Sequence, residues 1–298
     1  MNETKGIILA GGKGTRLNPL TKVVCKQLLP VYDKPMIYYP LATLMSSGIK
    51  EICIIVNPGE VHLFENILGD GSQWGINIIF IIQPEPEGLP QAFLLAENFI
   101  DGKQSCLILG DNLFVGSGLG RNLRKSVSDR GFHVFLYEVD NPRNYGNVRL
   151  DEAGKIAEIV EKPEIPLSNF AIPGMYFADS QVFEYTRLLK KSKREEYEIV
   201  DLINSYKLKN ELTYTSLSRG TAWLDTGSVE DLFAAAEFVR IIQNRQGRFI
   251  ACLEEIAIRN GWMDIDALSK SPLINLNSHY SKYLRKLLET GIDFEPTT

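Results

Sequence analysis

Short apolar segments alternate with helix-like segments through the first half of the chain, and this alternation restricts the possible folds more than any other feature of the sequence. One helix-like segment carries apolar residues three to four positions apart and ends at Gly48. The strand-like segments, rich in Ile, Leu, Val and Phe, are residues 6–10, 51–56, 76–82, 105–109 and 132–139. Such alternation builds a parallel sheet with helices on both faces, so we predict a Rossmann-like, doubly wound α/β fold.

A different pattern begins after residue 140. Residues 141–151 are rich in turn formers, and past Val229 the apolar residues recur at helical spacing. Between them lie short segments with strand or helix patterns, at residues 155–160, 174–178, 179–190, 213–217 and 222–224. The sequence therefore predicts a mixed sheet in a main domain of residues 1–228, divided near residue 140, and a C-terminal extension of helices at 229–298.

Composition and charge exclude several classes of protein. No apolar run approaches the roughly 20 residues that span a bilayer, and the N-terminus lacks the apolar stretch of a signal peptide. The net charge of -5 is unfavourable for coating a nucleic acid. The four cysteines and three histidines are scattered without metal-ligand spacing. We expect a cytoplasmic enzyme or binding protein with no nucleic-acid or membrane partner.

A glycine-rich loop follows the first strand-like segment. A P-loop requires Gly-Lys-Ser/Thr, but here Gly12-Lys13 is followed by Gly14. A dinucleotide fingerprint requires a third glycine at the position of Leu17. Two interpretations remain: a plain tight turn, or a phosphate-binding loop in which free N–H groups and Arg16 hold phosphate oxygens.

Two aspartates follow apolar segments. Asp111 follows residues 105–109 after the single residue Gly110, and Asp225 lies within Trp223-Leu-Asp-Thr-Gly227. An aspartate at such a position is either a helix cap or a ligand of Mg²⁺, which prefers one or two carboxylates plus substrate phosphates. Two such carboxylates could share one metal ion.

Basic residues complete this pattern, whereas an activated nucleophile is missing from it. Lys26 precedes an apolar stretch and Lys162 ends a strand-like segment; each alone is better explained by solvation. Together with Arg16 and the two aspartates, they indicate a polyphosphate–Mg²⁺ site. Because no activated Ser, Cys or His is evident, we expect the substrate to supply the nucleophile, as an anionic sugar phosphate would.

A series of motifs occurs in order along the chain. They are Gly11-Gly-Lys-Gly-Thr-Arg-Leu17, Lys26-Gln-Leu-Leu-Pro30, Lys34-Pro-Met-Ile37, Gln83, Glu87-Gly-Leu89, Gln91-Ala-Phe93, Leu109-Gly-Asp-Asn112, Tyr145-Gly146, Glu161-Lys-Pro163 and Trp223-Leu-Asp-Thr-Gly227. The set resembles the signature of sugar-1-phosphate nucleotidyltransferases, as far as about Leu288. Within that family it is most similar to the subgroup that transfers a thymidylyl group from dTTP to glucose 1-phosphate. The fold implied is of the nucleotide-diphospho-sugar transferase type, with nucleotide bound by residues 1–140 and sugar by 141–228.

The resemblance implies roles for the charged residues. Arg16 would hold the triphosphate and the departing pyrophosphate, with Lys26 beside it. Asp111 and Asp225 would hold Mg²⁺. Lys162 would bind the sugar phosphate and align its oxygen for in-line attack, so that dTDP-glucose and pyrophosphate form.

Recognition residues are implied in the same way. The glycine loop, as Gly11, Gly12, Gly14 and Thr15, would contact the nucleotide. The pyrimidine would be read by Gln83 and the backbone at Gly88 and Leu89, and the sugar hydroxyls by Gly146, Glu161, Tyr176 and Glu198. Four positions depart from the pattern expected of the subgroup, and these are Lys13, Pro90, Pro173 and Val200.

The C-terminal helices resemble a segment that packs between subunits and lines a regulatory nucleotide site in relatives. The residues implied are Arg219, Cys252, Glu255, Ile256 and Arg259. The resemblance implies a homotetramer inhibited by a dTDP-sugar; simple packing helices are the alternative. A transferase using UTP or another sugar phosphate, and a non-catalytic nucleotide sensor, also remain open, although both metal carboxylates are present.

Overall fold

The computed structural model describes residues 4–126 and 130–291. The strands are β1 (Lys5–Leu9), β2 (Pro30–Val31), β3 (Lys34–Pro35), β4 (Glu51–Val56), β5 (Asn77–Ile82), β6 (Ser105–Leu109), β7 (Asn112–Val115), β8 (Phe132–Glu138), β9 (Gly146–Leu150), β10 (Ile156–Glu161), β11 (Phe170–Ile172), β12 (Met175–Ala178), β13 (Leu212–Ser216) and β14 (Ala222–Asp225). The helices are α1 (Tyr38–Ser46), α2 (Val61–Leu68), α3 (Gln91–Leu95), α4 (Glu97–Ile100), α5 (Leu119–Ser126), α6 (Val182–Leu188), α7 (Ile199–Leu208), α8 (Val229–Gln246), α9 (Leu253–Arg259), α10 (Ile265–Ser269) and α11 (His279–Thr290).

One large mixed sheet organises the main domain, and it confirms the predicted fold class. Its strand order is β10-β9-β11-β8-β12-β6-β1-β4-β5, with β13 paired to β8. The pairs among β6, β1, β4 and β5 are parallel, whereas β12 is antiparallel to both β6 and β8. β7 and β14 form a separate antiparallel ribbon.

The central strands are apolar throughout because both faces of the sheet are covered. Successive residues of a strand point to opposite faces. Ile8 of β1 accordingly packs in the core that includes α1 and α2, and Ile7 packs in the core that includes α3, α6 and α7. Both side chains are fully buried. This arrangement leaves the carboxyl ends of β1 and β6 free to build a site.

Most predicted elements are confirmed, with boundaries shifted by a residue or two in the strands. The interpretation of residues 141–151 as turn-rich is confirmed only in its first part, where a 3-10 turn lies at Pro142–Asn144. It is wrong for the rest, because β9 lies there and pairs with both β10 and β11. Strands β2, β3, β7 and β11 and helix α7 were not predicted. The helix that was predicted to end at Gly48 is α1. It ends at Ser46, and Gly48 adopts φ 81° two residues later.

The C-terminal helices pack on the main domain. α8 contacts β2 and β14, and α9 contacts α1. α8 begins with a capping box in which Ser228 and Asp231 bond reciprocally, which satisfies backbone donors of the first turn. Within residues 4–126 and 130–291, no helix is both long and apolar enough to cross a membrane.

Candidate active site

An open cleft of about 510 Å³ lies at the carboxyl ends of the central strands, where ligands bind in open α/β sheets. The predicted site residues that line it are Arg16, Leu89, Asp111, Gly146, Glu161, Lys162, Tyr176 and Asp225. Lys26 contacts Asp111 directly. The structure therefore brings together basic residues and carboxylates that are distant in the sequence; Lys26 and Asp111, for example, are 85 positions apart.

The glycine loop leaves β1 and brings Arg16 to the cleft. Gly14 adopts φ 59°, and its carbonyl accepts the Leu17 N–H at 2.9 Å, which closes a short 3-10 turn at Thr15–Leu17. The buried Leu17 anchors the turn, while Arg16 is exposed at the cleft. Because the loop approaches Gln83 closely, a Cβ at Gly11 would lie 1.9 Å from Gln83 Oε1. A larger residue at position 11 would require the Gln83 side chain to move.

Lys26 and Asp111 form the closest ion pair of the cleft. Lys26 Nζ lies 2.5 Å from Asp111 Oδ2, and the lysine is 6% exposed. The other carboxylate oxygen, Asp111 Oδ1, accepts the Asn112 side-chain amide at 2.8 Å. Both oxygens of Asp111 therefore have fixed partners, which orient the carboxylate.

Strand pairing places Asp225 beside Asp111. In the β7–β14 ribbon, Asp225 is opposite Asn112, and the Thr226 N–H and hydroxyl donate to the Asp111 carbonyl. Asn112 Oδ1 also accepts the Trp223 indole N–H at 2.6 Å. These bonds fix the ribbon, so the two aspartates share one end of it.

Asp225 has a less compensated environment than Asp111. Its Oδ1 accepts the Tyr145 hydroxyl at 3.0 Å. Burial raises the pKa of Asp225, and the negative charges of Asp231 and Asp111 raise it further. Sequence reasoning did not identify Asp231, which lines the cleft from the first turn of α8, as a site residue.

This donor set fits the magnesium ion that the family resemblance implies. Hard carboxylate oxygens of Asp111 and Asp225 face one cleft, and a cation there would offset the repulsion that raises the pKa of Asp225. Among the described residues, no group of three or more His, Cys, Asp or Glu could hold a metal. Two carboxylates suit Mg²⁺, which takes further oxygens from substrate phosphates.

The sugar side of the cleft is formed by Gly146, Glu161, Lys162 and Tyr176. Lys162 adopts φ 44°, its N–H donates to the Tyr145 carbonyl at 3.0 Å, and its Nζ lies 3.4 Å from Glu161 Oε1. Burial raises the pKa of Glu161. A partly buried carboxylate beside an exposed lysine can accept a sugar hydroxyl and leave the lysine for a phosphate.

Glu198 joins this side through Arg194, which the sequence did not indicate. Arg194 binds both oxygens of Glu198, at 3.1 and 2.6 Å, and lies 3.8 Å from Glu161. Burial acts to raise the pKa of Glu198, but the bonds from Arg194 and Ser192 lower it overall. Val200 lines the same pocket, and its Cγ2 would lie 3.4 Å from a Cβ at Gly146.

The predicted base-reading residues surround the start of α3. Gly88 adopts φ 110°, and a Cβ there would lie 2.2 Å from the Tyr197 carbonyl, so the segment requires glycine. Leu89 lines the cleft, whereas Gln83 lies against the glycine loop. Pro90 precedes α3 with φ -59°, where its missing N–H breaks no helical bond. Lys13 is exposed, and the Pro173 carbonyl accepts the Met175 N–H.

The predicted regulatory residues lie apart from the cleft lining. Arg219 is exposed in the turn between β13 and β14, and Cys252 is buried at the start of α9. Glu255 accepts bonds from Arg259, at 3.0 and 2.8 Å, and from the Tyr283 hydroxyl at 2.6 Å. Ile256 is partly buried. This geometry ties α9 to α11.

Comparisons with known proteins agree with the site. A family model described as nucleotidyl transferase matches residues 5–241. A glucose-1-phosphate thymidylyltransferase of Xanthomonas campestris pv. campestris is 50% identical over 98% of this chain and 99% of its own length. The enzyme of that name in Mycolicibacterium smegmatis is 48% identical over 96% and 99%.

Solved structures give the same picture. A Bacillus anthracis protein described as a glucose-1-phosphate thymidylyltransferase, solved with sucrose, superposes with a TM-score of 0.74 at 38% identity, over 80% of this chain and 95% of its own. A UDP-glucose pyrophosphorylase bound to UDP-glucose superposes with a TM-score of 0.70 at 25% identity, over 82% and 99%. The family resemblance read from the motifs is confirmed.

Proposed function

The chain belongs to the nucleotidyl transferase family, and on that premise we propose that it transfers a thymidylyl group from dTTP to α-D-glucose 1-phosphate. The products are dTDP-glucose and pyrophosphate, and the cofactor is Mg²⁺. The observation that carries the proposal is one cleft in which Arg16, the Lys26–Asp111 pair, Asp225 and Lys162 converge. The 48–50% identity to thymidylyltransferases over nearly the whole chain supports the choice of nucleotide and sugar.

The phosphate chemistry is divided among the charged residues of the cleft. Arg16 holds the triphosphate and stabilises the departing pyrophosphate. Lys26 fixes Asp111 and adds positive charge beside the leaving group. Asp111 and Asp225 would hold Mg²⁺, which would supply charge neutralisation for the phosphates of both substrates. The glycine loop contributes backbone N–H groups at Gly11, Gly12, Gly14 and Thr15.

The sugar phosphate acts as the nucleophile. Lys162 binds its phosphate and aligns one oxygen for in-line attack on the α-phosphorus, while Glu161 and the Gly146 backbone hold sugar hydroxyls. Tyr176 and Glu198 shape the same pocket. Because the attacking oxygen is already anionic near neutral pH, positioning and charge stabilisation account for the catalysis without a general base.

A pyrophosphate-release assay tests this function directly. It crosses dTTP, UTP, dCTP and dATP with glucose 1-phosphate, galactose 1-phosphate and mannose 1-phosphate, with and without Mg²⁺. We expect the highest kcat/KM with dTTP and glucose 1-phosphate, UTP as the nearest competitor, and no turnover in excess chelator. Because thymine and uracil differ by one methyl group, preference between them should not exceed about 200-fold. Binding of dTTP without turnover of any pair would favour the nucleotide sensor instead.

The helices beyond residue 228 are assigned to assembly and regulation, with residues 1–228 as the catalytic domain. Val229, Phe233 and Ile241 are exposed on α8, an apolar surface suited to a subunit contact. The assignment is a homotetramer with a feedback site at Arg219, Cys252, Glu255, Ile256 and Arg259 for a dTDP-sugar. Cytoplasmic location, and a place at the first step of dTDP-rhamnose or other deoxysugar synthesis, follow from the family resemblance alone.

Light scattering and inhibition kinetics test this assignment. A mass near four times 33.5 kDa is expected. Arg259→Ala should relieve inhibition by dTDP-rhamnose and leave kcat nearly unchanged, because coupling between two sites can be lost without loss of chemistry. Arg245→Ala, an exposed arginine at the end of α8, is the matched control. A monomer, or competitive inhibition that survives Arg259→Ala, would refute it.

A further inference from the structure

Two buried glutamines form a hydrogen-bonded chain beside the glycine loop. Gln83 follows β5 and is 3% exposed; Gln91 begins α3 and is 9% exposed. Gln83 Nε2 donates to Gln91 Oε1 at 2.7 Å. Amide side chains at such sites can present either oxygen or nitrogen to a ligand, so their orientation decides what they recognise.

Glu87 determines that orientation. Its backbone N–H donates to Gln91 Oε1 at 3.1 Å, and its carboxylate Oε2 accepts from Gln91 Nε2 at 3.0 Å. A backbone N–H can only donate and a carboxylate can only accept, so the Gln91 amide fits in one orientation. Gln91 Oε1 must then accept from Gln83, which leaves Gln83 Oε1 facing away from Gln91. Lys191 Nζ, 2.6 Å from Glu87 Oε1, holds the far end of the chain.

Gln83 Oε1 faces the nucleotide loop and is open to a ligand. It lies 1.9 Å from the position of a Cβ at Gly11. In the described part of the chain, the side-chain polar atoms that are sealed from solvent without a partner are His133 Nε2 and Thr186 Oγ1. Gln83 Oε1 is absent from that set and accepts no bond from a described residue, so it is a free acceptor within reach of solvent.

We propose that Gln91, held by Glu87, is a positioning residue that makes Gln83 present only its carbonyl oxygen to the nucleobase. The site then selects a base whose ring nitrogen carries a hydrogen, as the imide N–H of thymine or uracil does, and rejects cytosine, whose corresponding nitrogen is an acceptor. A freely rotating amide would turn its NH₂ group to cytosine and lose this discrimination. The inference rests on the proposed nucleotidyl transfer.

The test compares kcat/KM for dTTP and dCTP at saturating glucose 1-phosphate and Mg²⁺. Gln91→Met keeps the length of the side chain but removes three hydrogen bonds, one with Gln83 and two with Glu87. The dTTP/dCTP ratio should fall by about 10- to 100-fold. In the wild type, dCTP places the cytosine ring nitrogen against Gln83 Oε1, so two buried acceptors face each other without a donor. In the variant, the Gln83 amide can turn and donate to that nitrogen. The KM for glucose 1-phosphate should stay within about twofold, whereas general damage to the fold would raise it.

A reciprocal exchange serves as the rescue. Gln91→Glu alone keeps an acceptor for Gln83 Nε2 but sets two carboxylates against each other, so it should lower the thermal midpoint and leave the dTTP/dCTP ratio near that of the wild type. Glu87→Gln combined with Gln91→Glu lets the introduced carboxylate accept from Gln83 Nε2 and from the backbone N–H of residue 87, and lets the introduced amide donate to it. The double variant should keep the wild-type ratio and recover most of the thermal midpoint.

The possible outcomes distinguish failure of this inference from failure of the proposed function. Wild-type protein that turns over no pyrimidine nucleotide would refute the proposed function. Wild-type protein that prefers dTTP, with an unchanged ratio in Gln91→Met, would refute the positioning role alone. A dTTP/dCTP ratio in the double variant as low as that of Gln91→Met would also contradict it. If Gln91→Met does not fold, the double variant decides: it keeps an acceptor for Gln83 Nε2, so a retained ratio supports the positioning role and a lost ratio refutes it.

Discussion

Asp111 and Asp225 lie at the same end of one β-ribbon, yet the partner of Asp111 is positively charged and the hydrogen-bond partner of Asp225 is neutral. Asp111 is paired with the buried Lys26 at 2.5 Å. Asp225 has a neutral hydroxyl from Tyr145 as its hydrogen-bond partner, and burial raises its pKa. The first carboxylate is held in place before any ligand binds. The second carries negative charge that a bound cation would stabilise, so metal dependence should centre on Asp225.

Loss of either carboxylate should give the largest effect on catalysis. Asp111→Asn and Asp225→Asn each keep the size of the side chain but remove a charge from the metal site. We expect kcat to fall by at least about 100-fold in both. Initial rates across a Mg²⁺ titration measure this, and Asp231→Asn is the comparison for a cleft carboxylate outside the proposed metal pair. Near-wild-type rates in either variant would overturn the metal assignment.

Arg16 and Lys162 should separate the two substrates. Arg16→Ala should raise the KM for dTTP and lower kcat, because it removes a contact to the triphosphate and to the leaving group. Lys162→Ala should chiefly raise the KM for glucose 1-phosphate. Effects of about 10- to 100-fold are expected for each lost charged contact. Equal losses for both substrates in both variants would contradict the division of the cleft.

Stability should distinguish the two aspartates even where activity does not. Asp111→Asn leaves the buried Lys26 without its counter-charge and should lower the free energy of unfolding by about 1–3 kcal/mol. A carboxyl whose folded pKa exceeds its unfolded value loses stability when it ionises, so Asp225→Asn should be neutral or stabilising at pH 7. Urea unfolding measures both. A destabilised Asp225→Asn variant would show that its charge is already compensated.

The smallest expected effect concerns pH and the sugar side. Burial raises the pKa of Glu161, Lys162 lowers it, and the neighbouring charge of Glu198 raises it again. Glu198→Gln removes that like charge, so the rise in KM for glucose 1-phosphate at acid pH should move to lower pH, by less than about one unit. The exposed Glu164→Gln is the control. A shift to higher pH would indicate that Glu198 acts through Arg194 instead.

Strands β4 and β9 show how far the pattern of neighbouring residues predicts a strand. β4 is a run of Ile, Cys and Val that is buried on both faces, and its bounds of 51–56 were predicted without error. β9 contains Gly146 and Asn147, which favour turns when taken singly. It is a strand because β10 and β11 pair with it on either side. Pairing of that kind is a long-range interaction that residue spacing does not express.

By itself, the sequence determined the alternation of strands and helices, the glycine loop before Arg16, and the order of motifs that identifies the family. Each of these depends on short-range periodicity or on the backbone freedom of glycine, so it can be read from neighbouring residues. Only the tertiary structure decided that Asp111 pairs with Lys26, that β7–β14 register sets Asp225 beside it, and that Gln91 turns the amide of Gln83. Such choices depend on donors, acceptors and charges that folding brings together from distant parts of the chain.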